Sequence, residues 1–218
     1  MKVTMVRNIL EANDRLAEEN RRLFDRHRLT VINLMSAPGA GKTSLLERTV
    51  AALRSELSIG VVEGDIQTSL DAERIERAGA VAVQINTDGA CHLDANMVAA
   101  AVGQLELEKL DLLIIENVGN LVCPAEFKVG EHAKVMVLSL AEGDDKPLKY
   151  PLMFKESRVL LINKLDLGPY VSSDPKRIEQ AARSINPEIT IFPVSCKTGE
   201  GLEAWYGWLR RTCAESKA

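Results

Sequence analysis

The 218-residue chain is predicted to fold as an α/β protein: a doubly wound, mostly parallel sheet of about seven strands with helices on both faces. Three observations predict it. Seven short apolar runs rich in β-branched residues recur along the chain. Amphipathic helical patterns separate most of them, the alternation that builds βα units. The distinctive polar and glycine residues follow the apolar runs, where a parallel sheet binds its ligands.

The elements are justified in order. "VRNILEANDRLAEENRRLF" sets Val6, Ile9, Leu10, Leu16, Ala17, Leu23 and Phe24 at helical spacing, with charges opposite. Residues 1–28 therefore read as an amphipathic helix packed on the domain or on a partner subunit. A single domain, 29–218, follows. Its strands are expected in "LTVINLM", "IGVVE", "VAVQIN", "LDLLIIEN", "KVMVLSL", "RVLLINK" and "EITIFPVS". Helical patterns occupy "TSLLERTVAALRSEL", "DAERIERAG", "HLDANMVAAAVGQLEL" and "DPKRIEQAARSI", and "GLEAWYGWLRRTC" closes the domain. No repeat, low-complexity tract or interdomain linker interrupts them.

Composition narrows the classes of function. With 27 basic and 31 acidic side chains and a net charge of −4, the chain offers no positive field for nucleic acid. No apolar run reaches the ~18 residues that span a bilayer, and "MKVTMVRNILEAND" lacks a signal peptide's apolar core. Membrane and nucleic-acid partners are thus not expected. Cys91, Cys123, Cys196 and Cys213 show neither C-x-x-C spacing nor disulfide-scaffold density, which fits a reduced, cytoplasmic compartment.

The first strand runs into "SAPGAGKTS", a phosphate-binding loop followed by a helix. Gly39, Ala40 and Gly41 bring backbone N–H groups to phosphate, and the helix N-terminus adds its dipole. Lys42 neutralises the β- and γ-phosphates, the Thr43 hydroxyl ligates Mg²⁺, and Ser44 completes the nucleotide-binding run. The expected fold is therefore that of a P-loop NTPase. One position departs: the motif has glycine where Ser36 stands, so a side chain must be accommodated there.

"NKLD" follows the sixth strand and "SCKTG" the seventh. Asp166 can accept from the N1–H and exocyclic amine of guanine, a pairing adenine cannot supply; an unpaired carboxylate would cost a few kcal/mol. Lys164 would lie along the base plane and Asn163 would brace the loops, with Ser195, Cys196 and Lys197 forming the second base loop. Alone, N-K-x-D is a common polar helix cap. Downstream of a phosphate loop it specifies guanine, so GTP and GDP are the expected nucleotides.

"LLIIENVGN" matches the D-x-x-G pattern of GTPases with Glu116 for Asp. Glu116 would hold Mg²⁺ or its water, and the Gly119 N–H would meet the γ-phosphate. "EGD" adds Glu63 and Asp65, of which Asp65 is favoured for the metal's coordination sphere; oxygen donors of this kind suit Mg²⁺. The plain alternative is a pair of solvated loop acids. Asn120, not Gln, follows Gly119, so intrinsic hydrolysis is expected to be slow. "EGDDKPLKYP" is a polar loop whose Lys146 and Lys149 could supply positive charge across a dimer, or simply be solvated.

Cys91 and His92, with Cys123 beyond the next strand, offer two thiols and an imidazole to Zn²⁺ or Ni²⁺. The alternative is that the cysteines are small buried hydrophobes and His92 a helix cap. His27 and His132 show no ligand pattern and read as surface residues. Cys196 and Cys213 have no sequence partner and read as structural.

Together these residues resemble the hydrogenase nickel-incorporation GTPases, maturation factors of NiFe-hydrogenases. "SAPGAGKTSLL", "EGDIQT", "INTDGACHLDANMV", "IIENVGNLVCP", "EGDDKPLKYP", "NKLDLGPY" and "GEGLEAWYGWL" carry the resemblance, from the first strand to about Trp208. It implies a GTPase metallochaperone that forms a homodimer, promoted by nucleotide or metal, and serves the hydrogenase large-subunit precursor alongside other maturation factors. It implies that Cys91, His92 and Cys123 bind Ni²⁺ or Zn²⁺, and relatives accept serine at the position of Ser36. Many members carry an N-terminal cysteine motif and some a histidine-rich tract. Here the first cysteine is Cys91 and there are three histidines, so nickel storage is not expected. The competing readings are a related GTPase chaperone for urease or a cobalamin enzyme, and a metal-binding protein whose nucleotide only controls dimerisation.

Overall fold

The strand Thr30–Ser36, β1, is buried at every position. A strand covered on both faces needs mostly apolar side chains, which is why "TVINLM", with the buried Asn33 as its one interior polar residue, does not alternate. The computed structural model describes residues 2–65, 70–87 and 89–217, and of residues 2–8, 65 and 70–73 the backbone only. Beside β1 stand β2 (Ile59–Asp65), β3 (Val81–Asn86), β4 (Leu112–Glu116), β5 (Ala133–Ser139), β6 (Val159–Asn163) and β7 (Thr190–Pro193). They form one sheet in the order β3-β2-β4-β1-β5-β6-β7, with every pairing parallel. The seven expected strands are those observed, so the predicted fold class holds.

The helices are α1 (Lys2–Arg26), α2 (Lys42–Leu53), α3 (Leu70–Ala78), α4 (Ala95–Val102), α5 (Cys123–Glu126), α6 (Lys146–Lys149), α7 (Pro151–Glu156), α8 (Pro175–Ile185) and α9 (Leu202–Lys217). Side chains of α2, α3 and α9, among them Leu45, Ile75 and Trp205, cover one face over Ile32, Leu34 and Val135. On the other face α1 and α4 pack Phe24 and Val98 over Val31 and Leu113, while α7 and α8 pack Phe154 and Ile178 over Met136 and Leu160.

The α1 helix lies against its own domain. Phe24 is fully buried, and its truncation to alanine would cost roughly 3–5 kcal/mol. Asn13 Oδ1 accepts from Ala95 N–H at 2.9 Å, and Asn20 Nδ2 donates to the carbonyls of Ala95 and Val129 at 2.8 and 3.1 Å. These buried amides replace water for backbone groups that would otherwise be orphaned. Among the described residues no helix is long and apolar enough to cross a membrane.

Three local expectations are corrected. "EGDDKPLKYP" is not an open loop: it starts α6 and leads into α7, with Pro147 and Pro151 in first turns, where a missing N–H costs nothing. The helix expected from His92 begins at Ala95, because Asp94 caps it by accepting from Met97 N–H at 2.8 Å. His132 is no surface residue. Its Nδ1 accepts from Val31 N–H at 3.0 Å, its Nε2 meets Asp25 Oδ1 at 3.0 Å, and its side chain is 15% exposed.

Candidate functional site

Strand order reverses direction about β1, and the loops leaving β1, β2, β4 and β6 converge beyond its carboxyl end. Gly41 caps α2 with φ 103°, a left-handed conformation open to glycine at little cost. Gly39 also has positive φ, 73°. The Ser36 departure has a physical use: its hydroxyl donates to Ala37 O at 2.6 Å and accepts from Lys42 Nζ at 3.0 Å. Ser36 thus parks the loop ammonium, which is buried and 3.9 Å from Glu116 Oε1.

A cavity of about 520 Å³ opens over this loop, lined by Gly39, Gly41, Lys42, Thr43, Ser44, Glu63, Glu116, Gly119 and Arg74 among others. Thr43 Oγ1 donates to Glu116 Oε1 at 3.2 Å, bringing a hydroxyl and a carboxylate together as hard oxygen donors. A Cβ on Gly119 would come within 3.0 Å of Pro38, so the loop after β4 lies directly on the phosphate loop. Asp65 ends β2, but its side chain and the rest of "EGDIQT", residues 66–68, lie outside the described residues. No sequence motif marks Arg74. It lines the same cavity and pairs in bidentate fashion with Glu47 of α2, at 2.9 and 2.7 Å.

A second cavity, about 320 Å³, adjoins the first and is lined by Gly41, Ser44, Asn163, Lys164, Asp166, Leu167, Cys196 and Lys197. Asn163 knits the loops together: Nδ2 donates to Ala40 O at 2.9 Å, while Oδ1 accepts from the N–H groups of Lys164 and Cys196 at 2.8 and 3.1 Å. Lys164, at φ 65°, stretches Nζ to Gly39 O at 2.7 Å. Ser195 Oγ donates to Asp166 Oδ1 at 2.6 Å and accepts from Thr198 N–H at 3.2 Å, while Lys197 Nζ lies 3.9 Å from the other Asp166 oxygen. Arg48, also unmarked in the sequence, donates from α2 to the carbonyls of Cys196 and Lys197 at 3.1 and 3.2 Å. Burial pushes the Cys196 thiol up to about 11, so it stays protonated and inert, and Cys213 is likewise buried.

Cys91, His92 and Cys123 come together, their ligand atoms within 4.8 Å of one another. Cys91 Sγ donates to Cys123 Sγ at 3.1 Å and lies 3.4 Å from His92 Nδ1. The bond from Cys91 and burial push the Cys123 thiol up, because two neighbouring thiolates repel. A bound cation removes that penalty. Burial holds His92 below the ordinary imidazole value, leaving it neutral and ready to ligate; Asp94 and Glu126 oppose this in part. The His92 ring rests on Phe127, centroids 3.9 Å apart. Two sulfurs and one imidazole nitrogen form a soft-to-borderline set that fits Ni²⁺ and Zn²⁺. Lys146 and Lys149 do not line either cavity: Lys149 pairs with Asp145 at 2.5 Å, and Lys146 Nζ lies 5.5 Å from the Tyr150 ring centroid.

Comparison with known proteins places this geometry. The CobW/HypB/UreG nucleotide-binding domain matches residues 30–193. The hydrogenase maturation factor HypB of Escherichia coli (strain K12) is 49% identical over 208 residues, covering 95% of this chain and 72% of that protein. The probable hydrogenase maturation factor HypB of Methanocaldococcus jannaschii is 41% identical, covering 98% of this chain and 96% of its own. Among solved structures, HypB from Helicobacter pylori in complex with nickel superposes with a TM-score of 0.89 at 40% identity, covering 94% of this chain and 96% of that one. With phosphate loop, Asn163 and Ser195 loops and Cys/His cluster on one sheet edge and similarity over nearly its whole length, the chain belongs to the HypB hydrogenase maturation factors of the CobW/HypB/UreG nucleotide-binding family.

Proposed function

We propose that this protein binds and hydrolyses GTP as a metallochaperone that assists nickel insertion during NiFe-hydrogenase maturation. One observation carries the reading. The phosphate loop, the Asn163–Asp166 and Ser195–Lys197 loops and a two-thiol, one-imidazole cluster share one sheet edge, and the segment from Glu116 to Cys123 runs from the cavity over the phosphate loop to that cluster. Nickel is the cargo of this reaction, held by Cys91, His92 and Cys123.

In this reading Gly39, Ala40 and Gly41 offer N–H groups to the phosphates, and Lys42 leaves Ser36 to meet the β- and γ-phosphates. Asp166, positioned by Ser195, reads the guanine edge; Asn163 and Lys164 hold the base loop to the phosphate loop. Thr43, Glu116 and Asp65 would hold Mg²⁺, which when bound neutralises charge developing on the phosphates. The Gly119 N–H senses the γ-phosphate. With Asn120 where a water-orienting Gln would stand, turnover is slow, and Lys146 or Lys149 from a second subunit supplies the missing positive charge in a nucleotide- or metal-promoted homodimer. Loss of the γ-phosphate releases the Gly119–Cys123 segment and changes the metal geometry. The partners are the hydrogenase large-subunit precursor and other maturation factors in the cytoplasm.

The test is Ni²⁺ and Zn²⁺ titration with GDP and with a non-hydrolysable GTP analogue, on wild type, Cys91→Ser and Cys123→Ser. We expect metal affinity to differ between nucleotide states by roughly 5–150-fold and the serine variants to lose binding. Equal affinity in both states, or binding retained by both variants, overturns the reading.

A further inference from the structure

Asn117 separates Glu116 from Val118 and Gly119, yet among the described residues it hydrogen-bonds to neither the phosphate loop nor a thiol. It is 1% exposed, and its bonds run to the sheet and to the Cys91–His92 arm instead. Its N–H donates to Leu34 O of β1 at 2.9 Å. Its Oδ1 accepts from the N–H of Val118 at 3.0 Å and, across the sheet edge, from the N–H of Leu93 at 3.0 Å. Its Nδ2 donates to Asn33 Oδ1 at 3.1 Å.

Leu93 is the residue after His92. Its side chain is fully buried and wedged against Gly64, where a Cβ would come within 2.8 Å of Leu93 Cδ1 and Cγ. Next to it, Asp94 caps α4. The Cys91–His92 arm of the metal cluster is thereby tied to the end of β4 at a point ahead of Gly119. Cys123 is tied to the same strand at a point beyond Gly119. A movement at Gly119 can therefore displace Cys123 while Cys91 and His92 stay in place. If both arms were free to follow each other, the ligands would keep their mutual geometry, and the nucleotide state would leave metal affinity unchanged.

We propose that Asn117 is the positioning residue that makes metal binding respond to nucleotide: it holds Cys91 and His92 fixed to the sheet while Cys123 moves with the γ-phosphate-sensing loop. This rests on the GTP-gated reading above. The bond requirement is specific. Leu93 N–H needs an acceptor, which a leucine at this position lacks and an aspartate retains. Asn33 Nδ2 has no partner among the described residues, so a flip of the Asn33 amide turns that donor toward the new carboxylate in Asn117→Asp.

The experiment measures the ratio of Ni²⁺ dissociation constants in the GDP and GTP-analogue states for wild type, Asn117→Asp and Asn117→Leu. We expect the wild-type ratio to survive in Asn117→Asp and to fall to within ~2-fold of unity in Asn117→Leu, against the ~5–150-fold range of ordinary coupling. A wild-type ratio kept by Asn117→Leu overturns the anchor alone. A ratio of one in wild type overturns the gated reading and the anchor with it. Should Asn117→Leu fail to fold, amide hydrogen exchange on wild type decides: the Leu93 amide is expected to stay equally protected in both nucleotide states while residues 119–123 change. A change at Leu93 as large as theirs overturns the anchor.

Discussion

Gly41 and Asn163 are so close that a Cβ on Gly41 would stand 2.5 Å from Asn163 Nδ2. The phosphate loop and the base loop, 122 positions apart in the chain, are therefore packed as one unit. Gly41→Ala would also force a non-glycine residue into φ 103°, a strain of roughly 1–2 kcal/mol before any clash. We expect guanine-nucleotide affinity to fall at least ~10-fold, since every 1.4 kcal/mol is tenfold. Titration with a fluorescent GDP checks it; near-wild-type affinity would show that the two loops move independently.

Asp166 accepts from the Ser195 hydroxyl at 2.6 Å, which leaves its other oxygen toward the base cavity and 3.9 Å from Lys197. Asp166→Asn replaces an acceptor by a mixed donor and acceptor. GTP affinity should drop by a factor corresponding to a few kcal/mol, and preference should pass to xanthosine triphosphate. Competition binding with GTP, XTP and ATP reads the outcome. Unaltered preference, or wild-type binding of ATP as strong as GTP, removes the guanine assignment.

Lys146 and Lys149 are occupied within their own subunit, one over Tyr150 and the other on Asp145. If either acts in trans, the hydrolysis rate per subunit should rise with protein concentration through the dimerisation range. Lys146→Ala or Lys149→Ala should then lower the dimer's rate at least ~10-fold, a small part of what a positive charge contributes to phosphoryl transfer. A rate independent of concentration and of both substitutions eliminates the trans role.

His132 gives a pH dependence unrelated to the metal. Burial, then Arg21, hold it below the ordinary imidazole value, against Asp25. Glu131, Lys134 and Arg158 line a third cavity, which His132 borders. A histidine whose folded value is depressed stabilises the fold fully above its unfolded value of ~6.5, and that contribution is lost as pH falls toward the folded value. Chemical denaturation should therefore show stability decreasing below about pH 6.5, and less steeply in His132→Asn, whose amide oxygen can still accept from Val31 N–H. Equal slopes for the two proteins would place the titration elsewhere.

The strands and the loops that leave their carboxyl ends were legible because each is contiguous and its chemistry dictates residue type. Gly41 must adopt positive φ, Lys42 must follow it, and β1, buried on both faces, must be mostly apolar. Residues whose role comes from distant partners left no such mark. Arg74 is one charge on an amphipathic helix until Glu47 of α2 is seen beside it, and Arg48 looks solvated until its bonds to Cys196 O and Lys197 O are drawn. Asn117 and His132 satisfy backbone N–H groups 24 and 101 positions away, contacts that no local pattern encodes. The short α6 and α7 escaped because turns of four and six residues draw their stability from packing, not propensity.

Trp205 of α9 donates its indole N–H to Thr49 Oγ1 of α2 at 3.0 Å, and Thr49 in turn donates to Leu45 O at 2.7 Å. The helix that presents the phosphate loop is thus propped by a segment 156 positions further along the chain. β1 is sandwiched between β4 and β5, so its flanks remain bare until both strands have left the ribosome. A nascent chain released up to β5 carries the whole phosphate-loop motif but neither the Asn163 brace nor the Trp205 prop. Competence to capture nucleotide therefore waits for segments far downstream of the motif, and until they emerge the bare apolar strands are an aggregation hazard.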